Sequence, residues 1–367
     1  MHVNEKEKLI LELIRKNPFI TQNELAKQLK LSRSAVAGYI SSLTKQGKII
    51  GRAYVLPEPS RIVCIGGVNV DRKAQCLSAL QLGTSNPVTV TQTCGGVARN
   101  IAENLGRLGH SVSLFTVIGD DQEGQWLLET TSAYVDMSQT AKLDKANTGT
   151  YTAVLDEKGE MVIALADMAI YDHVTSDFIQ KRWSHISSAS MVLLDTNFPS
   201  EVLKVVIERC RQENIPLCVA PVSAIKVKKL PFDLNGVTWL IANQDEALAL
   251  AGVEDGNVEA ACEKILERGV DHVIITQGEK GIIFKNKKGE HGALPAPKIE
   301  VIDVTGAGDA FISGFLYGIH NGKPLVTACQ LGMCCSIITL QTKETVCSNL
   351  NEQLLKQTYA QYFSREV

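Results

Sequence analysis

Aromatic residues make up only 5% of this 367-residue chain, with three tryptophans, so little material exists for a stacking clamp. No two of the ten cysteines stand at C-x-x-C spacing, and the adjacent pair Cys334-Cys335 lies in an apolar helical run, which argues against a zinc ribbon or a dithiol redox centre. Without a secretory leader pattern the thiols are expected to be reduced and the protein cytoplasmic. No stretch approaches the ~18 apolar residues of a membrane span, so no membrane partner is expected. The net charge is also small, −3, but unevenly spread. The first 56 residues hold ten Lys/Arg against four Asp/Glu, net +6, which leaves 27 against 36, or −9, in the remainder. A small basic module on a larger acidic one suggests nucleic-acid contact at one end only.

At roughly 100–200 residues per domain, this length suggests two domains. The best boundary is the stiff segment Pro57-Glu58-Pro59-Ser60, dividing 1–56 from 61–367 with a linker at 57–60. Within the first part, Asn4 with Glu7 and Thr21 with Glu24 have capping-box spacing, each ahead of helically spaced leucines and isoleucines. Ser32 opens a third helix whose Val36, Ile40 and Leu43 share a face, ended by Gly47. Residues 48–50 and 53–56 then flank Gly51-Arg52 as a hairpin with a basic tip.

Three short helices and a β-ribbon resemble the winged helix-turn-helix module of bacterial transcription regulators. That resemblance implies DNA as a partner, with Arg33, Ser34, Ala37, Ser41 and Lys45 on the open face of the third helix and Arg52 on the wing for phosphate contact. Read from charge alone, the same residues are an ordinary solvated face of a docking module.

Past the linker, an apolar strand from Arg61 breaks at Gly66-Gly67, followed by Asn69 and Asp71. Alternating runs at 84–93, 150–155 and 161–165 read as flap strands. Strand-like runs at 111–118, 191–195, 216–220, 238–241 and 271–276 alternate with helical ones at 202–210, 245–251, 258–268 and 310–319. This order predicts a mainly parallel sheet with helices on both faces and ligands at the carboxyl ends of its strands.

The densest chemistry lies in Asp303-Val304-Thr305-Gly306-Ala307-Gly308-Asp309, a glycine-rich turn running straight into an apolar helix. Glycines 306 and 308 permit a tight turn and close approach, and the free N–H groups of the following helix favour an anion such as phosphate. Asp309, at the helix start, is placed to accept a proton from a hydroxyl. The simpler reading is a turn and a cap.

The longer run Asp-x-Thr-Gly-Ala-Gly-Asp-x-Phe-x-x-Gly resembles the signature of the ribokinase-like (PfkB) carbohydrate and nucleoside kinases, over about residues 61–367. Val304, where many members carry threonine, departs from the pattern. The resemblance implies a three-layer α/β/α fold with a β flap, here preceded by the winged module. It implies an ATP-dependent kinase using Mg²⁺, with K⁺ as a further cation held by the loop at 342–348, and a homodimer paired through the flaps. Asp309 becomes the general base, with Gly306, Ala307 and Gly308 stabilising developing charge. Gly95-Gly96-x-x-x-Asn100 matches the second signature, so Asn69, Asp71, Gly95, Gly96 and Asn100 hold the sugar. Asn243 and Glu246 match an N-x-x-E motif, Glu246 acting on Mg²⁺ through water together with Asp303. Without the resemblance, Asp245 and Glu246 are equally well explained by a helix N-terminus. Thr276, Gly278 and Gly281, with Thr305, line the nucleotide.

The run from Gly95 through Gly109, with Val-Ile-Gly-Asp-Asp after it, looks most like the pseudouridine kinases, which implies the 5′-hydroxyl of pseudouridine as acceptor. Asn197, and Asp167 or Met168 after the flap, are then expected at the base. Inosine, guanosine, cytidine or ribose is the alternative substrate. A regulator whose kinase-like domain only senses ligand is the alternative class.

Overall fold

The computed structural model describes residues 4–18, 20–51 and 60–363. The expected hairpin from Arg52 to Leu56 and most of the linker lie outside the described residues, and residues 48–51 carry no strand assignment.

Helices α1 (Glu5–Lys16), α2 (Gln22–Leu29) and α3 (Arg33–Lys45) form the N-terminal unit. Both expected capping boxes form, with the Asn4 and Thr21 side chains each accepting from the N–H three residues on. Ser32 caps α3 by accepting from the Ala35 N–H. Ile10, Ile14, Leu25, Val36, Ile40 and Leu43 close a small core of their own, whereas Leu9 faces outward. Arg33, Ser34, Ser41 and Lys45 are exposed on α3, and Ala37 is half-buried beside them.

The larger unit is an eight-stranded sheet. Six strands run parallel in the spatial order β4 (Val112–Phe115), β1 (Ile62–Ile65), β9 (Met191–Asp195), β10 (Leu217–Ala220), β11 (Trp239–Asn243) and β12 (His272–Thr276). Antiparallel β13 (Ile282–Asn286) and β14 (His291–Leu294) finish one edge. Strand residues alternate between two cores, as the two-residue period requires. Ile62, Cys64 and Leu193 pack under α4 (Val97–Arg107), α10 (Ala307–His320), α11 (Leu325–Leu340) and α12 (Glu352–Phe363). Val63, Ile65 and Leu194 pack under α6 (Ser176–Ile186), α7 (Ser200–Glu213), α8 (Gln244–Ala251) and α9 (Val258–Glu267). Three layers follow, with both sheet faces dry. All ten cysteines are buried free thiols.

The flap is a separate four-stranded sheet ordered β3 (Val88–Gly95), β2 (Asn69–Cys76), β7 (Thr150–Leu155) and β8 (Met161–Asp167). The first flap strand begins at Val88 rather than Thr84, the expected strand at 111–118 divides between the main sheet and a separate pair, and Asn69 and Asp71 lie in β2, an inner strand of the flap. A short parallel pair, β5 (Val117–Gly119) with β6 (Ala141–Leu143), and helix α5 (Gln122–Thr131) support the base of the flap. Among the described residues no helix is long and apolar enough to cross a membrane.

Candidate active site

The candidate residues gather at the carboxyl ends of the parallel strands, beneath the flap. Gly306, at φ +81°, turns the chain into α10, and a Cβ there would stand 2.1 Å from the Thr345 carbonyl oxygen. Only glycine fits this conformation and this contact. No side chain caps α10; the Ala307 N–H donates to the Val304 carbonyl at 3.3 Å, which leaves those of Gly308 and Asp309 available, and a Cβ on Gly308 would meet only open space. This is an open anion cradle, with Asp309 in the same turn.

Asp309 keeps some solvent contact, but protein surrounds its carboxylate. Burial pushes its pKa up to about 7, opposed by the Asn100 amide, while the nearby Asp195, Glu246 and Asp71 carboxylates add to the rise. Asn100 Nδ2 donates to Asp309 Oδ2 at 2.8 Å, so the glycine-rich helix α10 and the helix after the double glycine meet at the carboxylate.

The double glycine itself packs on protein. A Cβ on Gly95 would strike the Asp71 carboxylate, and one on Gly96, at φ +105°, would lie 2.4 Å from the Gly67 carbonyl oxygen. Their absence of side chains therefore lets β3 and α4 close onto β2 and the end of β1. Asn69 Nδ2 donates to Asp71 Oδ1 at 2.5 Å, and burial raises the Asp71 carboxyl above its usual range. Met168 stands beside Gly149 and Asn69, whereas Asp167 is exposed at the flap edge opposite Thr150.

Sequence reasoning missed Asp195, which ties this region together. Fully buried, it accepts from the N–H groups of Gly67 at 2.9 Å, Ala98 at 3.1 Å and Asn197 at 2.8 Å, and from the Asn197 amide at 2.9 Å. Burial raises its pKa despite those donors. The only signal was a carboxylate at the end of an apolar strand. Asn197 is fully engaged: Lys226 Nζ donates to its Oδ1 at 2.6 Å and Lys229 Nζ to its carbonyl at 2.9 Å. Tyr171 donates to the Val68 carbonyl at 2.5 Å beneath the same turn.

Asn243 and Glu246 form a capping box at the start of α8, each side chain accepting from the other's N–H at 2.9 Å. Helix capping thus accounts for the motif's local geometry. Glu246 is buried, its carboxyl is raised to about 7 by that burial, and its Oε1 has no hydrogen-bond partner among the described residues. Asp303 is held by Lys73 Nζ from the flap at 2.8 Å and by the N–H and hydroxyl of Thr305 at 2.9 and 2.7 Å. Lys73 shares a flap face with Asp71 and spans the cleft to the glycine-rich turn. Gly278, at φ +58°, borders open space, while Gly281 packs against the Leu294 carbonyl. Thr276 closes β12 beside Asn243. No cluster of three or more metal-ligating side chains exists among the described residues.

The ends of the parallel strands, a flap above them and an anion cradle beside a carboxylate define a small-molecule kinase. Residues 59–351 match the pfkB family of carbohydrate kinases, and the chain belongs to that family. Its reaction class is phosphoryl transfer to an alcohol group of a sugar or nucleoside. Residues 3–50 match a winged helix-turn-helix DNA-binding model, in agreement with α1 to α3.

Among individual proteins, an uncharacterized sugar kinase of Escherichia coli is 32% identical over 341 residues, covering 92% of this chain and 94% of that one. The pseudouridine kinase of Escherichia coli is 32% identical over 294 residues, covering 78% and 93% respectively. A carbohydrate kinase from Agrobacterium tumefaciens superposes with a TM-score of 0.74 at 29% identity, over 83% of this chain and 98% of that one.

Proposed function

We propose that this chain transfers the γ-phosphoryl group of ATP to the 5′-hydroxyl of pseudouridine, with Asp309 as general base. The observation that carries the reading is the Asp309 carboxyl, raised to about 7, in the same helix turn as an uncapped and open anion cradle. A base poised near neutrality accepts a hydroxyl proton as the oxygen attacks, and the free N–H groups of Gly308 and Asp309 offset charge developing on the phosphoryl oxygens. Asn69, Asp71 and Asn100 orient the ribose, and the flap carrying Asp71 excludes water. Pseudouridine is favoured by the relationship to the Escherichia coli enzyme along nearly its whole length.

Mg²⁺ fits the residues present. A buried carboxylate with one oxygen free suits a hydrated ion that takes most of its ligands from phosphates and water. Glu246 would hold that ion through water, and the ion would neutralise phosphate charge when bound. A K⁺ requirement belongs to the same reading, since the Thr345 carbonyl of the 342–348 loop abuts Gly306. The chain is also proposed to bind DNA through α3. It is proposed to dimerise through the flap face opposite Asp71, where Val90, Ile163 and Leu165 are each more than half exposed.

ATP consumption by the full chain, with Mg²⁺ and K⁺, tests this against pseudouridine, uridine, inosine, guanosine, cytidine and ribose, with Asp309→Asn as control. Turnover of pseudouridine far above the others, lost in the variant, is the expected result. Preference for another acceptor replaces the substrate and keeps the chemistry, whereas no turnover of any favours a ligand-sensing regulator.

A further inference from the structure

Arg99 follows the double glycine by three residues and is 3% exposed, a cationic side chain buried next to an acidic site. Its Nη2 pairs with Glu103, its Nη1 donates to the Cys94 carbonyl at 3.3 Å and to Asn100 Oδ1 at 3.2 Å, and its Nε donates to Thr131 Oγ1 at 3.4 Å. Glu103 in turn holds Arg107 at 2.7 Å, and Arg107 Nη1 donates to the Ser348 carbonyl at 2.6 Å. The guanidinium is thus clamped from four sides. A guanidinium has donors only, so the amide of Asn100 must present its oxygen to Arg99 and its NH₂ to the opposite side. On that side lies Asp309 Oδ2, 2.8 Å away. The flipped amide would set donor against donor at Arg99 and oxygen against carboxylate at Asp309.

We infer that Arg99 is a positioning residue for the phosphoryl-transfer site, locking the Asn100 amide so that its NH₂ faces Asp309. The inference rests on Asp309 being the base. Acting through Asn100, Arg99 keeps the carboxylate in one orientation, and its charge opposes the rise that burial gives the neighbouring Asp71 carboxyl. A buried arginine that served only packing would have no need to touch the amide oxygen. The resemblance accounts for Asn100 and leaves the residue before it without a role.

Arg99→Lys keeps the charge and can keep the Glu103 pair, but one ammonium cannot reproduce the fork that also reaches Asn100. The test is a cycle of Arg99→Lys, Asn100→Ala and the double variant in the full chain, measured as kcat, KM for acceptor and ATP, and the acid limb of the kcat–pH profile. Expected for Arg99→Lys is a fall in kcat of about tenfold, the worth of one charge-assisted hydrogen bond, with little change in KM for ATP. The acid limb should move to higher pH, because a carboxylate that loses its donor holds its proton longer.

In the Asn100→Ala background the lysine should add nothing. A wild-type kcat and pH limb in Arg99→Lys, or full additivity with Asn100→Ala, overturns the inference. Should Arg99→Lys not fold, Thr131→Val removes only the Nε acceptor, and a drop of about twofold with the same limb shift is expected. No change in either readout there also overturns it. If instead Asp309→Asn turns over like wild type, the base reading fails first and the two failures are distinguished.

Discussion

Replacing Asp309 with asparagine should silence catalysis while stabilising the protein, and the stabilisation should depend on pH. The carboxyl sits at about 7 against an ordinary 3.8. Roughly three units at ~1.4 kcal/mol each set a ceiling of about 4 kcal/mol on what the ionised form costs the fold. Because Asp309 retains solvent contact, about half of that, ~2 kcal/mol, is a fair expectation. The folded state holds the proton more tightly than the unfolded state, so its contribution is fully favourable below pH ~4 and is lost as pH rises through ~7.

Asparagine does not titrate and can still accept from Asn100. At pH 8.5 the variant should therefore be more stable by ~2 kcal/mol, a rise in Tm of about 4 °C for a unit of this size. By pH 5.5 roughly half of the gain should remain. Paired thermal and urea denaturation at the two pH values measures it, since Glu246 and the other acids titrate in both proteins and largely cancel. A variant less stable than wild type at pH 8.5, or a difference that ignores pH, would refute the argument that burial at this site is what raises the carboxyl.

Gly96→Ala should be damaging without touching any reacting group. It combines a left-handed φ of +105° with a Cβ 2.4 Å from the Gly67 carbonyl oxygen, for a loss of at least ~2 kcal/mol seen as a lower urea midpoint. Arg33→Ala with Lys45→Ala should lower affinity for duplex DNA at 50 mM salt and flatten the log K against log salt slope by about 2, in fluorescence anisotropy. Kinase turnover should be unchanged in that double variant, and an unaltered slope would argue that α3 does not lie on the phosphates.

The helix caps, the two flap strands read at 150–155 and 161–165, the parallel strands and the glycine-rich turn were legible because each depends on local chemistry. A capping box is closed within three residues, a strand shows its period over five, and a tight turn needs its glycine whatever surrounds it. Strand β2 escaped because the signals at Gly66-Gly67, Asn69 and Asp71 are those of a turn. Only pairing with β3 and β7 makes that segment a strand.

What the sequence determined by itself, then, was the family, the two-part organisation, and the identity of Asp309, Asn100 and Glu246 as residues to watch. Tertiary structure decided what each of them touches. Asp195 gathers the ends of β1, β9 and α4, Lys73 crosses from the flap to Asp303, and Arg99 orients Asn100 toward Asp309. The bonds of Asp195 to Gly67 and Ala98 and of Lys73 to Asp303, and the contact of Asn100 with Asp309, join residues about 100 to 230 positions apart. Their worth comes from burial, which raises the stakes of every unpaired charge. Neither the partner nor the burial is written in the residues on either side of a position. Both appear only when the sheet brings its strand ends together under the flap.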